Sequence, residues 1–598
     1  MEGINRMSYT PSFLIDNKSK YPSEPALSIK VDGIWETMNW DEYHSYVIKI
    51  SKSLIALGLG VGEKCAIYSY NRKEWFGCYS AMQILNSVSV AIYHTSSSLE
   101  VEWIVRNSDS KIVFVGHNPN DNDEDDKMPI NRLVSVLEKT DAIEVIVLMG
   151  EDVKSPKHSK IITWKEFIKK GANITSDQVD ERMKNIDSND TSSLIYTSGT
   201  TGNPKGVELT HNNFKIELDS VGHVLKFEQG DRYVSWLPLA HIFGQLVDNH
   251  YWVRRALHMS IVDNPLNTID YAKEVQPHLF ISVPRIYEKV YSNLKAAIEM
   301  KSILKIGLKI PGISSIFKRK LRTAAGFGSN RFSISGAAPI NPEILEFFHF
   351  LGIPIFEGYG MTENTAGISI NYQDNNRIGS VGKCMPYFDL KIAPDGEILI
   401  KGENVMKGYY KNSDATEKTI VEGWLYTGDV GKIDSDGFLF ITGRKKEIYV
   451  SSSGKNIAPL VIEESMKSIP IVSQCFLLGD NRKYCSALIT LDMSVILRDK
   501  LNIDPNIIPR DPIKQNKLIL ENRKKLSDYT NSKDIFDDIH DKIERLNQRF
   551  SNPEQIKKFS ILPRDFSIDD GELTPTLKIR RKQISENWSK TIESMYNE

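Results

Sequence analysis

Between residues 65 and 149 the chain alternates short apolar runs with stretches whose apolar residues return every three or four positions. The runs at 65–70, 87–93, 111–115 and 142–149 predict strands, and 75–85 and 99–105 predict helices. Strands separated by helices imply a parallel sheet wound by crossover connections. A second alternating region spans 192–356, with strand candidates at 194–196, 233–237, 279–283 and 331–334. Two similar α/β lobes are therefore expected. From 379 to 442 short strands are punctuated by Pro-Asp-Gly, Glu-Gly and Asp-Ser-Asp-Gly turns, which predicts a small, mostly antiparallel module. The polar stretch 443–447 separates the strand 438–442 from the apolar run 448–450. The expected division is an N-terminal domain over 1–443, a hinge at 444–447 and a C-terminal domain over 448–598. The last carries strands at 474–478 and 485–491 and a charged helical insertion near 509–557. The fold class is α/β: two lobes and a β module form a large N-terminal domain, followed by a smaller, mobile α+β domain.

Composition narrows the function. A chain of 598 residues is too long for one ordinary core. Its 75 basic and 77 acidic residues balance, unlike the strongly basic footprint of a nucleic-acid binder. No nucleic-acid partner is expected. The cysteines Cys65, Cys78, Cys384, Cys475 and Cys485 form no Cys-x-x-Cys pair, which argues against a disulfide framework and a zinc ribbon and for a reducing compartment. Residues 1–20 lack the basic start and apolar stretch of a secretory signal, and no window is apolar enough to span a bilayer. The expectation is a soluble, cytoplasmic protein. Residues 300–322 add an alternative, peripheral contact with an intracellular membrane such as the endoplasmic reticulum. They carry Lys301, Lys305, Lys309, Lys318, Arg319, Lys320 and Arg322 without one acid, interleaved with isoleucines. Lys301, Lys305 and Lys309 fall at helical spacing on one side, ahead of a break at Pro311-Gly312.

The strongest chemical signal follows the apolar pair Leu194-Ile195. It reads Tyr196-Thr-Ser-Gly-Thr-Thr-Gly-Asn-Pro-Lys-Gly206. Gly199, Gly202 and Gly206 permit backbone conformations closed to other residues, so amides and the hydroxyls of Thr197, Ser198, Thr200 and Thr201 can turn toward one anion. Lys205 supplies the compensating charge, and Asn203 and Pro204 complete a loop suited to nucleotide phosphates. A Walker loop would need Gly-Lys to begin where Pro204 stands, so that reading fails on spacing.

Further motifs follow in order: Leu237-Pro-Leu-Ala-His241, Val283-Pro-Arg-Ile-Tyr-Glu-Lys289, Ser335-Gly-Ala-Ala-Pro339, Glu357-Gly-Tyr-Gly-Met-Thr-Glu363, Trp424-Leu-Tyr-Thr-Gly-Asp429, Gly443-Arg444 and Gly571-Glu-Leu-Thr-Pro-Thr-Leu-Lys578. Together they resemble the adenylate-forming superfamily, and within it the long-chain acyl-CoA synthetases of the bubblegum type. The resemblance implies two steps. A fatty carboxylate attacks the α-phosphorus of MgATP to give acyl-AMP and pyrophosphate, and the thiol of coenzyme A then displaces AMP. Alternatives are a ligase loading another acceptor and a non-catalytic nucleotide-binding protein.

By this resemblance, residues 197–206 close over the β and γ phosphates. Thr362 contacts the α-phosphate and Glu363 is the Mg2+ ligand, since that hard ion takes few carboxylates and several waters. Tyr359 stacks on adenine in a pocket kept narrow by Gly336, Glu357, Gly358 and Gly360, with Met361 in the same turn. Asp429 and Arg444 take the ribose hydroxyls. Lys578 bridges the attacking carboxylate and the α-phosphate. Lys446 is the hinge about which the smaller domain swings, bringing 451–457 with Gly454 to the thioester step. His241 orients the acyl carboxylate, with 336–338 and 281–287 as walls of the acyl channel.

Overall fold

The computed structural model describes residues 9–117, 128–137, 139–150, 157–197, 203–450, 456–480, 482–504, 507–509, 511–568, 570–574 and 578–597. The solvated loop expected at 118–127 lies outside these. The first alternating region forms parallel strands Lys64–Tyr68, Val88–Ile92, Ile112–Val115 and Val145–Leu148, joined in part by the helices Lys73–Ile84 and Ser98–Ser108. Val88–Ile92 and Ile112–Val115 are buried at every position, which is why they read as unbroken apolar runs.

The strand Thr191–Thr197 corrects one expectation. It belongs to this first, eight-stranded sheet, parallel to Val88–Ile92, and not to the second lobe. An apolar run specifies a strand but not its partner; here the antiparallel return strand Lys205–Thr210 extends the same sheet edge. The second sheet has nine strands, its parallel centre being His258–Ile261, Arg232–Ser235, Leu279–Ser282, Phe332–Ser335 and Ile355–Tyr359. An N-terminal hairpin, Pro25–Val31 with Ile34–Asn39, joins this distant sheet through the parallel pair Leu27 and Met259. One apolar core runs through both lobes, from Ile67 and Phe76 to Trp252 and Phe280. Trp40 and Trp252 stack within it, and the Trp252 indole donates to the Ala26 carbonyl.

Residues 389–444 form a five-stranded antiparallel sheet of Asp389–Ile392, Glu397–Lys401, Ile420–Val421, Trp424–Ile433 and Leu439–Arg444. Farther on, the strands Val472–Leu478, Cys485–Leu491 and Ile556–Ile561 pack against helices over a core of their own that includes Ile489, Leu497 and Ile539. The charged insertion folds as the helices Pro512–Glu521, Leu526–Thr530 and Lys533–Asn547, the last burying Ile535, Ile539 and Ile543 at four-residue spacing. The fold is thus α/β, a large N-terminal domain followed by a smaller one.

The basic segment departs from a single helical face. It forms two helices, Ser302–Gly307 and Ser314–Ala324; Lys301 is extended (φ −112°, ψ 97°) and Lys309 lies past the first helix. The residue before a proline avoids helical backbone, so the helix stops ahead of Pro311. No helix among the described residues is long and apolar enough to cross a membrane. All five cysteines are free.

Candidate functional site

Parallel strands end where ligands bind in open α/β sheets, and here their carboxyl ends carry the glycine motifs. Ser335 ends its strand and is the register partner of Glu357 on the adjacent one. Ser335 Oγ and one Glu357 carboxylate oxygen are buried with no hydrogen-bond partner among the described residues. Buried polar atoms are rarely left so, and this pair beside Gly336 and Gly358 leaves a donor and an acceptor available to a polar ligand. Burial pushes the Glu357 carboxyl up to about 7, against the Ile340 and Gly379 amides that hold it down. Gly360 is required by packing: a Cβ there would stand 1.7 Å from the Ala366 carbonyl oxygen.

The turn after this strand carries Met361, Thr362 and Glu363. Asn364 holds it by accepting from the Met361 amide at 2.7 Å. Thr362 and Glu363 are buried. Tyr409 donates to Oε1 of Glu363 at 2.8 Å, and the Met406 amide donates to the Glu363 carbonyl. Tyr409 lies in the strand Gly408–Tyr409, which pairs with Lys205–Thr210, and the Lys205 ammonium stands 4.4 Å from the Tyr409 ring centre. Thr197 and Lys205 are cross-strand partners, and Gly206 sits against the Tyr196 ring. The Pro204 carbonyl accepts from the Trp103 indole, and Asn203 is exposed. Ser198, Gly199, Thr200, Thr201 and Gly202 lie outside the described residues.

Three expected residues meet directly. Tyr359 donates to Oδ2 of the buried Asp429 at 2.7 Å, and Arg444 Nε pairs with Oδ1 of the same carboxylate at 3.0 Å. Register places Asp429 opposite Arg444 on neighbouring strands. Burial, then the Asp429 charge, raises the Tyr359 phenol. Lys578 comes from the far end of the chain, exposed along its side chain, into the field of Arg444, Asp429, Glu363 and Glu447; the crowding of its ammonium, then Arg444, lowers its pKa. Its amide is held by the Thr574 hydroxyl at 3.0 Å. His241 caps the helix Ile242–Gln245 by accepting from the Phe243 amide. Burial, and then the Lys578 charge, brings the His241 imidazole down to about 3. A Cβ on Gly336 would stand 3.2 Å from the Phe243 ring.

Lys446 lies apart, exposed in the turn between the strands Leu439–Arg444 and Tyr449–Val450. Residues 451–455, expected at the thioester step, are outside the described residues. Tyr409 escaped the sequence reading altogether, because a Gly-Tyr-Tyr run at a sheet edge has no local signature of its contact with Glu363.

The AMP-binding enzyme family matches residues 15–410, and the C-terminal domain of AMP-binding enzymes matches residues 513–598. The long-chain-fatty-acid–CoA ligase FadD15 of Mycobacterium bovis is 32% identical over 95% of this chain and 93% of its own length. The human long-chain-fatty-acid–CoA ligase ACSBG2 is 31% identical over 98% of this chain and 92% of its own. Among solved structures, the o-succinylbenzoate coenzyme A synthetase of Bacillus subtilis with ATP and magnesium superposes with a TM-score of 0.65 at 21% identity, covering 96% of this chain and 99% of that one. The likeness to that structure is one of fold. With one family match spanning most of the chain and a second reaching its end, this chain belongs to the AMP-binding enzyme family.

Proposed function

We propose that the chain is a long-chain fatty acid–CoA ligase of the bubblegum type. The carrying observation is that Glu363, Asp429, Arg444 and Lys578, from four separate motifs, share one electrostatic neighbourhood. The relatives named above as long-chain ligases support the substrate class.

A carboxylate is a poor acyl donor until its oxygen is turned into a better leaving group. Its oxygen bonds to the α-phosphorus of ATP as the bond to pyrophosphate breaks; the thiolate of coenzyme A then bonds to the acyl carbon and AMP departs. Positioning and charge neutralisation carry such chemistry. Lys205 and the loop 197–206 receive the β and γ phosphates, and Thr362 the α-phosphate. Tyr359 stacks on adenine, with Gly336, Glu357, Gly358, Gly360 and Met361 around it. Asp429 and Arg444 hold the ribose, Lys578 spans the forming bond, and His241 orients the carboxylate as a neutral ring. One buried carboxylate oriented by a tyrosine suits a hard divalent ion that keeps most of its waters, and Glu363 is that ligand. Mg2+ there would neutralise phosphate charge.

The C-terminal domain, 448–598, turns about 444–447 with Lys446 as pivot, because coenzyme A cannot reach an adenylate that Lys578 covers. The protein acts in the cytoplasm and rests on an anionic membrane surface through 300–322. Met300, Ile303 and Ile306 there are 71%, 69% and 60% exposed. Incubating purified protein with palmitate, ATP, magnesium and coenzyme A tests the assignment: pyrophosphate, AMP and palmitoyl-CoA should accumulate together. Pyrophosphate without thioester would move the acyl group to another acceptor, and no pyrophosphate would end the proposal.

A further inference from the structure

The motif Val283-Pro-Arg-Ile-Tyr-Glu-Lys289 has a second task beyond the acyl channel. Pro284 opens the helix Pro284–Met300, so Arg285 places a cation in its first turn, where the helix dipole disfavours positive charge. Its compensation comes largely from the C-terminal domain. Arg285 Nη2 donates to Ser473 Oγ at 3.0 Å and pairs with Asp492 at 3.5 Å, while Nη1 pairs with Glu288 of its own helix at 3.5 Å. Ser473 in turn donates to Asp565 at 2.5 Å, and Thr490 donates to the other oxygen of that carboxylate at 2.6 Å.

Asp565 begins the segment that delivers Lys578. The neighbouring Arg564 pairs with Glu572 at 2.6 Å, a side chain fully buried beside Trp588, and Thr574 bonds Lys578 through both backbone and hydroxyl. Polar contacts, with the short chain segment from Glu572 to Thr574 between them, thus join the helix carrying Arg285 to the backbone of Lys578. A second link joins the same surfaces, from Arg498 to the Ser292 hydroxyl at 3.3 Å. Rotation of the C-terminal domain would have to break the Arg285 contacts.

We infer that Arg285 is a positioning residue for adenylation: it clamps the C-terminal domain in the orientation that presents Lys578 to the cleft, and it lets go before thioester formation. The inference rests on the two-step ligase reading. The Arg285 and Asp492 side chains are mostly buried, but their charged atoms stand 3.5 Å apart, so the clamp can hold one state without trapping it.

The test measures the two half-reactions separately on full-length protein, pyrophosphate release from palmitate and MgATP, and palmitoyl-CoA formation from supplied palmitoyl-AMP. Arg285→Met should slow the first about fivefold more than it slows the second. Asp492→Asn should do the same, and it keeps the side-chain oxygen that accepts from the Ser494 amide, so folding is preserved even if Arg285→Met is unstable. The double variant should be no slower than the slower single one, as for two ends of one interaction. Arg285→Lys should recover part of the loss. Equal slowing of both half-reactions, or no slowing of the first, overturns the clamp. Lys578→Ala separates this failure from a wider one. If it splits the half-reactions and the Arg285 variants do not, only the clamp is wrong; if it too fails to split them, the two-step reading is wrong.

Discussion

The Tyr409 phenol donates a 2.8 Å hydrogen bond to Glu363, and the same ring faces the Lys205 ammonium, so one edge-strand tyrosine ties the lysine proposed to take the phosphates to the proposed magnesium ligand. Burial and the Glu363 charge raise this phenol's pKa, which keeps it a donor across the physiological range. Tyr409→Phe removes only the hydroxyl. A hydrogen bond to a charged, buried acceptor contributes roughly 1.5–3 kcal/mol, so kcat/KM for MgATP should fall at least about tenfold with melting temperature little changed. Unaltered kinetics would separate Tyr409 from the site.

In its proposed role Lys578 must be an ammonium to bridge two anions. Its pKa lies below the ordinary lysine value, first from the crowding of its ammonium and then from Arg444. As pH rises through that lowered pKa the charge is lost, so adenylation should show an alkaline limb at lower pH than an ordinary lysine would give. Thioester formation from supplied acyl-AMP should lack this limb. Lys578→Ala should abolish adenylation and largely spare the second step; a shared limb, or loss of both steps alike, would remove Lys578 from its assigned role.

Lys446 occupies an exposed turn, where backbone torsions can change without disturbing a core. Proline fixes φ near −65° and restricts the preceding residue. Lys446→Pro should therefore impair thioester formation much more than adenylation, read as pyrophosphate exchange against palmitoyl-CoA yield. Equal damage to both would put the pivot elsewhere.

Strands such as Val88–Ile92 were legible because a strand buried on both faces is an unbroken apolar run. Which sheet a strand joins was not: Thr191–Thr197 and the hairpin 25–39 are placed by tertiary contacts with Val88–Ile92 and Met259. The site shows the same division. Asp429 and Arg444 could be paired from their motifs, and they face one another in register. Tyr409 and the reach of Arg285 to Ser473 could not, since each depends on a contact with no local pattern. The cationic face failed because the helix covers only Ser302–Gly307, which leaves both Lys301 and Lys309 outside it.

Asp248 is fully buried and accepts from Ser235 at 2.6 Å. Burial raises its carboxyl to about 8, against the Ser235 hydroxyl, from an ordinary value of 3.8. Between those two values the unfolded carboxyl ionises while the folded one keeps its proton, so raising pH favours unfolding throughout that window and no further above it. Melting temperature should consequently decline between pH 5 and pH 8 through this group. Asp248→Asn keeps an acceptor for Ser235 without a titrating proton, and its decline should be shallower. Parallel curves for the two proteins would contradict the assignment.

The segment 300–322 presents seven cations and no acid beside exposed Met300, Ile303, Ile306, Ile310, Ile313 and Ile316, and Lys318 lies over the half-exposed Phe350 ring at 3.8 Å. Apolar side chains enter the acyl boundary while cations remain at the headgroups, and each such cation near an anionic surface contributes about 1 kcal/mol. The protein should therefore co-float with phosphatidylcholine vesicles containing phosphatidylserine, bind pure phosphatidylcholine less, and release as salt is raised. Replacing Lys305 by Glu should weaken binding by more than about fivefold through charge, whereas Ile303→Ser with Ile306→Ser should weaken it even at high salt. Both variants should retain ligase activity on detergent-dispersed palmitate. Binding indifferent to lipid charge and to all three substitutions would show that another surface makes the contact.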